Sequence, residues 1–457
     1  MTGTARWERL TAAEAETRQR RAAGGLERQG LRAGDRVAFC VGSSAALLCA
    51  VLGALRRGII PVMLNATLLP AEREALLADA EPALTVVDGD DLAVLEDGPP
   101  VELAPVPLGR PMHYTSGTTG RPKGVWSGVL DESRARELFD DEADVWGFDS
   151  TDVHLVCSPM YHSVSVRFAG GTLLRGGTVV VLERFDAGAA CRAMVEERPT
   201  TTFVAPTALG RLLRHHGCPP VLDSLRLLVH AGSPCSASLK QSAMARVGPG
   251  VLWEFYGATE GQFTVCSPEE WTARPGTVGR ARPGRRLQLE PDGTVWCHAP
   301  SFARFEYWRD PQSTARAWRG DAFTAGDVGR IDEDGYLFLD GRRDDLVISG
   351  GVNVYPAEVE AVLAALAGVA EVAVFGVDDD DWGQRLCAAV VGDVDDESLR
   401  RHAATHLAPY KRPKTYLHLA ELPRTSTGKL LRRVLGRDFA ERAGQPSGPA
   451  APIGGGA

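Results

Sequence analysis

A chain of 457 residues, 44 % of them apolar, is long enough for two or three domains with sizeable cores. Its formal net charge of −9 does not provide the basic face that nucleic-acid phosphates require, so no nucleic-acid partner is expected. Nine cysteines scattered without a C-x-x-C pair signal neither a zinc site nor a redox pair, and they fit a reducing cytoplasm.

The N-terminus, from Arg6 to Arg21, has no apolar signal-peptide core and reads as a polar helix, so export is not expected. Val37 to Leu55 is the one long apolar run. Gly42, Ser43 and Ser44 break it into a short strand and a buried helix, which argues against a membrane span. Strand-like and helical runs then alternate through Ala83 to Val87 and again from Asp152 to Ala231. This rhythm predicts a large α/β domain of mostly parallel strands, with its active site at their carboxyl ends. Between Thr277 and Leu339, short strands with Asp-Gly turns at 292–293 and 334–335 predict a β-rich antiparallel subdomain. Beyond Asp344 a small α+β unit follows, in which Pro356 opens a helix and Glu358 and Glu360 complement its dipole. The expected organisation is an N-terminal domain over 1–343, a mobile lid domain over 344–440 and a disordered Gly/Pro/Ala-rich tail over 441–457.

Within the first domain, YTSGTTGRPKGV runs from Tyr114 to Val125. Gly117, Gly120 and Gly124 let backbone N–H groups approach an anion closely. Thr115, Ser116, Thr118 and Thr119 add hydroxyl donors, and Lys123 adds a point charge. This composition reads as a triphosphate loop rather than an ordinary Gly/Ser/Thr surface loop. No G-x-x-x-x-G-K-[ST] can be laid on it, nor on Thr427 to Leu430, so it is not the P-loop of kinases and GTPases.

The loop resembles the signature of the adenylate-forming superfamily of acyl- and aryl-CoA synthetases, adenylation domains and luciferases. Further motifs follow in the family's order: PMYHS from Pro159, AGSP from Ala231, YGATE from Tyr256, AGD from Ala325, GRRDD from Gly341, GGVNVYPAEVE from Gly350 and PRTSTGK ending at Lys429. The resemblance spans from about Arg36 to Arg433 and is nearest to fatty- and aryl-acid:CoA ligases. It implies a cytoplasmic enzyme whose partners are a small carboxylic acid, ATP with Mg²⁺, and CoA as co-substrate. The acid becomes an acyl-AMP with loss of pyrophosphate, and the CoA sulfur then displaces AMP.

By the same resemblance Glu260 is the metal ligand, Thr259 touches the α-phosphate, and Tyr256 stacks on adenine with Gly257 leaving room for the ring. Gly232, Ser233 and Pro234 line the adenine pocket, Gly120 belongs to the phosphate loop, and Asp327 and Arg342 reach the ribose, although Ala325 stands where the family carries threonine. Lys429 is the lysine that the lid swings into the site, Asp344 is the hinge, and His162 is a gate near the acyl carboxylate. Gly350 and Gly351 leave space for pantetheine. Read as residues alone, Glu260 is more readily a solvated loop glutamate and Tyr256 a core tyrosine, and Arg342 reads as part of a charge run. Arg167, beside PMYHS, faces either a second polar group of the acid or solvent. Two rivals stand beside the ligase. One is an adenylating enzyme acting on an acid or unusual oxyacid with an amine or carrier protein as acceptor. The other is a nucleotide-binding protein without catalysis, against which Lys123, Glu260, Asp327, Arg342 and Lys429 speak together. Monomer and homodimer are both left open.

Overall fold

A computed structural model of the chain describes residues 6–115, 122–342, 347–349, 352–354, 356–379, 383–424 and 430–443. Contacts divide the chain into two compact units, Met1–Leu339 and Asp340–Ala457.

In the first unit the run from Val37 to Leu55 becomes the strand Arg36–Phe39 and the helix Ala45–Leu55, capped by the Ser44 side chain on the Leu47 N–H. Every residue of that helix but Ala46 is buried. Its lack of a polar face follows from its place in a core cluster that also takes in Val37 and Phe39 of one sheet and Val179 and Val181 of another. No described helix is long and apolar enough to cross a membrane.

The larger sheet carries eight strands among the described residues. Thr178–Leu182, Val153–Val156, Thr201–Val204, Leu227–His230 and Leu252–Gly257 lie side by side and parallel, in that order. These strands are Val- and Leu-rich, as strands covered on both faces must be. A six-stranded sheet holds Arg36–Phe39, Ile60–Met63 and the hairpin Met112–Thr115/Lys123–Trp126. The stretch 277–339 is antiparallel as its Asp-Gly turns predict, with Gly293 and Gly335 at φ 81° and 86°.

One expectation needs correcting. The N-terminus is not simply a polar helix: Trp7–Thr11 is a strand, paired antiparallel with Thr178–Leu182 at the edge of the larger sheet. Only then does the helix Ala12–Arg28 begin, with Thr11 and Glu14 forming a capping box. Glu8 and Arg9 on the edge strand hid it, because charges that protect a sheet edge look like helix surface in a sequence.

The second unit is built on the long antiparallel pair Val369–Asp379/Gly383–Gly392, with Thr415–His418 parallel beside it. Helices Pro356–Ala364, Asp396–His406 and Arg432–Ala443 belong to it. Glu360 does more than complement a dipole: it accepts from the Val374 N–H at 2.7 Å and pairs with Arg432 at 2.8 Å. The last helix takes in residues 441–443 of the expected tail, and 444–457 lie outside the described residues. All nine cysteines are unpaired, eight of them buried and Cys235 half-buried.

Candidate active site

Because five strands of the larger sheet run parallel, the loops leaving their carboxyl ends lie along one edge. Val153–Val156 leads to the PMYHS loop and His162, Leu227–His230 to Ala231–Pro234, and Leu252–Gly257 to Thr259 and Glu260. Thr259 and Glu260 are the central residues of a tight turn, in which the N–H of Ala258 donates to the carbonyl of Gly261 and the N–H of Gly261 donates back. Gly257 precedes the turn. A Cβ there would lie 2.6 Å from the Gly261 carbonyl oxygen, so the glycine serves the close approach of its own hairpin. Gly232, at φ 91°, and Ser233 and Pro234 form an exposed loop before the helix Ala237–Val247.

Thr115 and Lys123 pair across the hairpin that closes the glycine-rich loop. Ser116, Gly117, Thr118, Thr119 and Gly120 lie outside the described residues, as do Asp344, Gly350, Gly351 and Lys429. Arg342 ends the strand Leu337–Arg342. The Lys123 ammonium donates to Ser313 Oγ at 2.8 Å and lies 5.1 Å from the centre of the Tyr307 ring. The Tyr307 hydroxyl donates to Glu260 Oε1 at 2.8 Å. Tyr307 therefore joins the base of the phosphate hairpin to the turn carrying Thr259 and Glu260. It reaches this place because Glu306–Tyr307 pairs with the Lys123–Trp126 strand. Tyr256 and Asp327 are also brought together, the phenol donating to the carboxylate at 2.6 Å.

His162 sits at the N-cap of the helix Ser163–Leu174, and burial pushes its imidazole down to about 4, so it is neutral at pH 7. His113 is neutral too, pushed down to about 3 by burial, with Nδ1 at 2.9 Å from the Tyr161 carbonyl oxygen. Between His113 and Thr259 lies a small cavity of about 20 Å³, lined also by Arg110, Ser163 and Arg167. Arg167 is turned inward and pairs with Glu142 at 3.0 Å. Burial alone would raise the Glu142 carboxyl, but Arg167 and Arg282 outweigh it and hold the group below its usual range.

Sequence reasoning missed Tyr307, Ser313, Arg110 and Glu142. An aromatic two residues before Arg309-Asp310-Pro311 carries no local sign of facing Lys123 from 184 positions away. For Arg110 the available signal was an arginine four residues before the signature loop.

Among the described residues no cluster of three or more His, Cys, Asp or Glu can hold a metal by itself. Glu260, buried and keeping a second oxygen besides the one that Tyr307 engages, suits Mg²⁺, which takes one or two carboxylates and completes its shell with water and phosphate oxygens.

Comparison with known proteins identifies the family of the chain. The family described as "AMP-binding enzyme" matches residues 2–106 and 111–295, and the "AMP-binding enzyme C-terminal domain" matches 358–429. A 2–succinylbenzoate–CoA ligase of Bacillus licheniformis is 32 % identical, covering 91 % of this chain and 92 % of that protein. The crystal structure of ATP-bound MatB from Rhodopseudomonas palustris is similar, with a TM-score of 0.81, 30 % identity and coverage of 94 % and 93 %. Also similar is the amide bond synthetase McbA from Marinactinospora thermotolerans, with a TM-score of 0.81, 29 % identity and coverage of 93 % and 94 %.

Proposed function

Since the chain belongs to the AMP-binding, adenylate-forming enzyme family, we propose that it is an ATP-dependent, AMP-forming acid:CoA ligase. The observation that carries the residue roles is the continuous contact path Lys123–Tyr307–Glu260 beside Thr259, which sets a cation, a buried carboxylate and a hydroxyl along one edge of a parallel sheet.

In the first half reaction an oxygen of the acid's carboxylate attacks the α-phosphorus of ATP and pyrophosphate leaves. Lys123 offsets charge on the phosphates, and the Thr259 hydroxyl donates to an α-phosphate oxygen. Glu260 would hold Mg²⁺, which when bound neutralises charge on the phosphate oxygens. Tyr307 fixes the Glu260 carboxylate, and the Tyr256–Asp327 pair orients the nucleoside, Asp327 accepting from a ribose hydroxyl. Lys429, carried in by the second unit, stabilises the charge developing between carboxylate and phosphate. In the second half reaction the CoA thiolate attacks the acyl carbonyl and AMP leaves. Gly350 and Gly351 leave room for pantetheine, Asp344 is the hinge, and neutral His162 is a gate rather than a base.

The likeness to an amide bond synthetase favours a second reading, in which an amine takes the place of CoA. Both are tested by measuring acid-dependent pyrophosphate release over a panel of acids, with CoA thioester measured separately. Acid-dependent release that stops on chelation of Mg²⁺, together with thioester formation, is the expected result. Brisk acyl-AMP formation without thioester for any accepted acid would replace CoA with another acceptor.

A further inference from the structure

Four guanidinium groups meet two carboxylates beside the small cavity. Arg282 and Arg285 pair with Asp141 at 3.1 and 3.0 Å, and Arg167 pairs with Glu142. Among the described residues the Arg110 side chain has neither a hydrogen bond nor an ion pair, and only its backbone N–H is engaged, by Ser127 Oγ. Burial, reinforced by Arg167, pushes its guanidinium down to about 10, which leaves it charged at neutral pH. Glu142 and Asp141 offset part of its charge without pairing with it, but four guanidinium groups outnumber two carboxylates here, so an excess of positive charge faces the cavity.

The cavity in front of Arg110 and Arg167 is lined at one side by Thr259, which belongs to the catalytic turn, and at another by Ser163, the first residue of the helix Ser163–Leu174. Its wall also carries His113, 4 % exposed, whose Nε2 has no partner. With Nδ1 donating to the Tyr161 carbonyl, Nε2 is a buried acceptor that suits a ligand hydroxyl or a bound water. A volume of about 20 Å³ has room for one or two water-sized groups. That is enough for a carboxylate and too little for an alkyl chain or an aromatic ring, either of which would press hydrocarbon onto Arg110.

Resting on the adenylation reading, we propose that this cavity selects a compact acid with a second anionic group, a short dicarboxylate. The second carboxylate pairs with Arg110 and Arg167 while the reacting one lies at Thr259.

The test is acid-dependent ATP–pyrophosphate exchange with malonate, succinate, propionate, benzoate and octanoate. The better dicarboxylate should exceed propionate in kcat/KM by roughly 10- to 100-fold, the scale of a charge-assisted pair. Arg110→Gln should remove most of that preference through KM for the dicarboxylate, and Arg110→Lys should retain part of it. Benzoate or octanoate outperforming both dicarboxylates would overturn the proposal, as would an Arg110→Gln effect equal for all acids. If no acid drives exchange, the adenylation reading fails by itself. Calorimetric titration of malonate into the AMP-saturated protein then decides: weakening by about tenfold in Arg110→Gln supports the subsite, and no malonate binding to the wild type overturns it.

Discussion

Tyr307 holds Glu260 with its hydroxyl and offers the face of its ring to Lys123. Tyr307→Phe keeps the ring, so the contact with Lys123 persists while the carboxylate loses its donor. A lost hydrogen bond to a charged group is worth about 1.5–3 kcal/mol, so the apparent KM for Mg·ATP should rise by roughly 10-fold or more, with a smaller change in melting temperature. Titrating ATP at several Mg²⁺ concentrations checks this. Indifference to the mutation at low Mg²⁺ would separate Glu260 from the metal. At this scale the sequence was only partly legible. Thr115, Lys123, Tyr256, Thr259, Glu260 and Asp327 stand in local motifs, whereas Tyr307 takes its place through a pairing set by sheet register and Arg110 stands out only through the charge balance of its surroundings, neither of which a short window contains.

The hairpin Leu252–Gly257/Gln262–Cys266 sets the position of Thr259 and Glu260. Gly257→Ala would place a methyl group 2.6 Å from the Gly261 carbonyl oxygen, against backbone that cannot give way without moving the turn. Displacing a reacting group by about 1 Å costs on the order of 10²-fold, so adenylation should fall on that scale while the protein still folds. Single-turnover acyl-AMP formation measures it, and a variant of wild-type rate would show that the turn is not what positions Thr259. Elements were the most legible level of all. Parallel strands declare themselves as short Val/Leu runs between glycines and prolines, and Asp-Gly turns mark the antiparallel part. The edge strand Trp7–Thr11 escaped because its alternation is carried by charged residues whose partner strand lies about 170 positions on.

At the scale of the molecule, the buried histidines couple stability to pH. Burial pushes His154 down to about 3 in the folded chain, while in the unfolded chain it titrates near 6.5. The unfolded state binds the extra proton between those values. The stability due to a neutral His154 is therefore complete above about pH 6.5 and is lost as pH falls, at about 1.4 kcal/mol per pH unit. His113 and His230, each pushed down to about 3 by burial, act in the same direction. Urea unfolding between about pH 6 and 4.5 should show this slope, and His154→Asn should flatten it by about one histidine's share. An unchanged slope would mean that the folded chain already carries the proton on His154.

The nine unpaired cysteines bear on how the molecule can be watched. Burial pushes the thiols of Cys49, Cys157, Cys191, Cys235, Cys266 and Cys297 up to about 12, and only the thiolate reacts. These six thiols are thereby weakly reactive toward alkylating reagents in the native chain, and a buried thiol is unmasked when its own surroundings open. Cys387 lies in the second unit and the other eight in the first, so the order in which mass increments accumulate under iodoacetamide reads the openings of the two units separately. Modification of Cys387 at the same rate as Cys49 and Cys157 would show that the two units open together, as one cooperative clock.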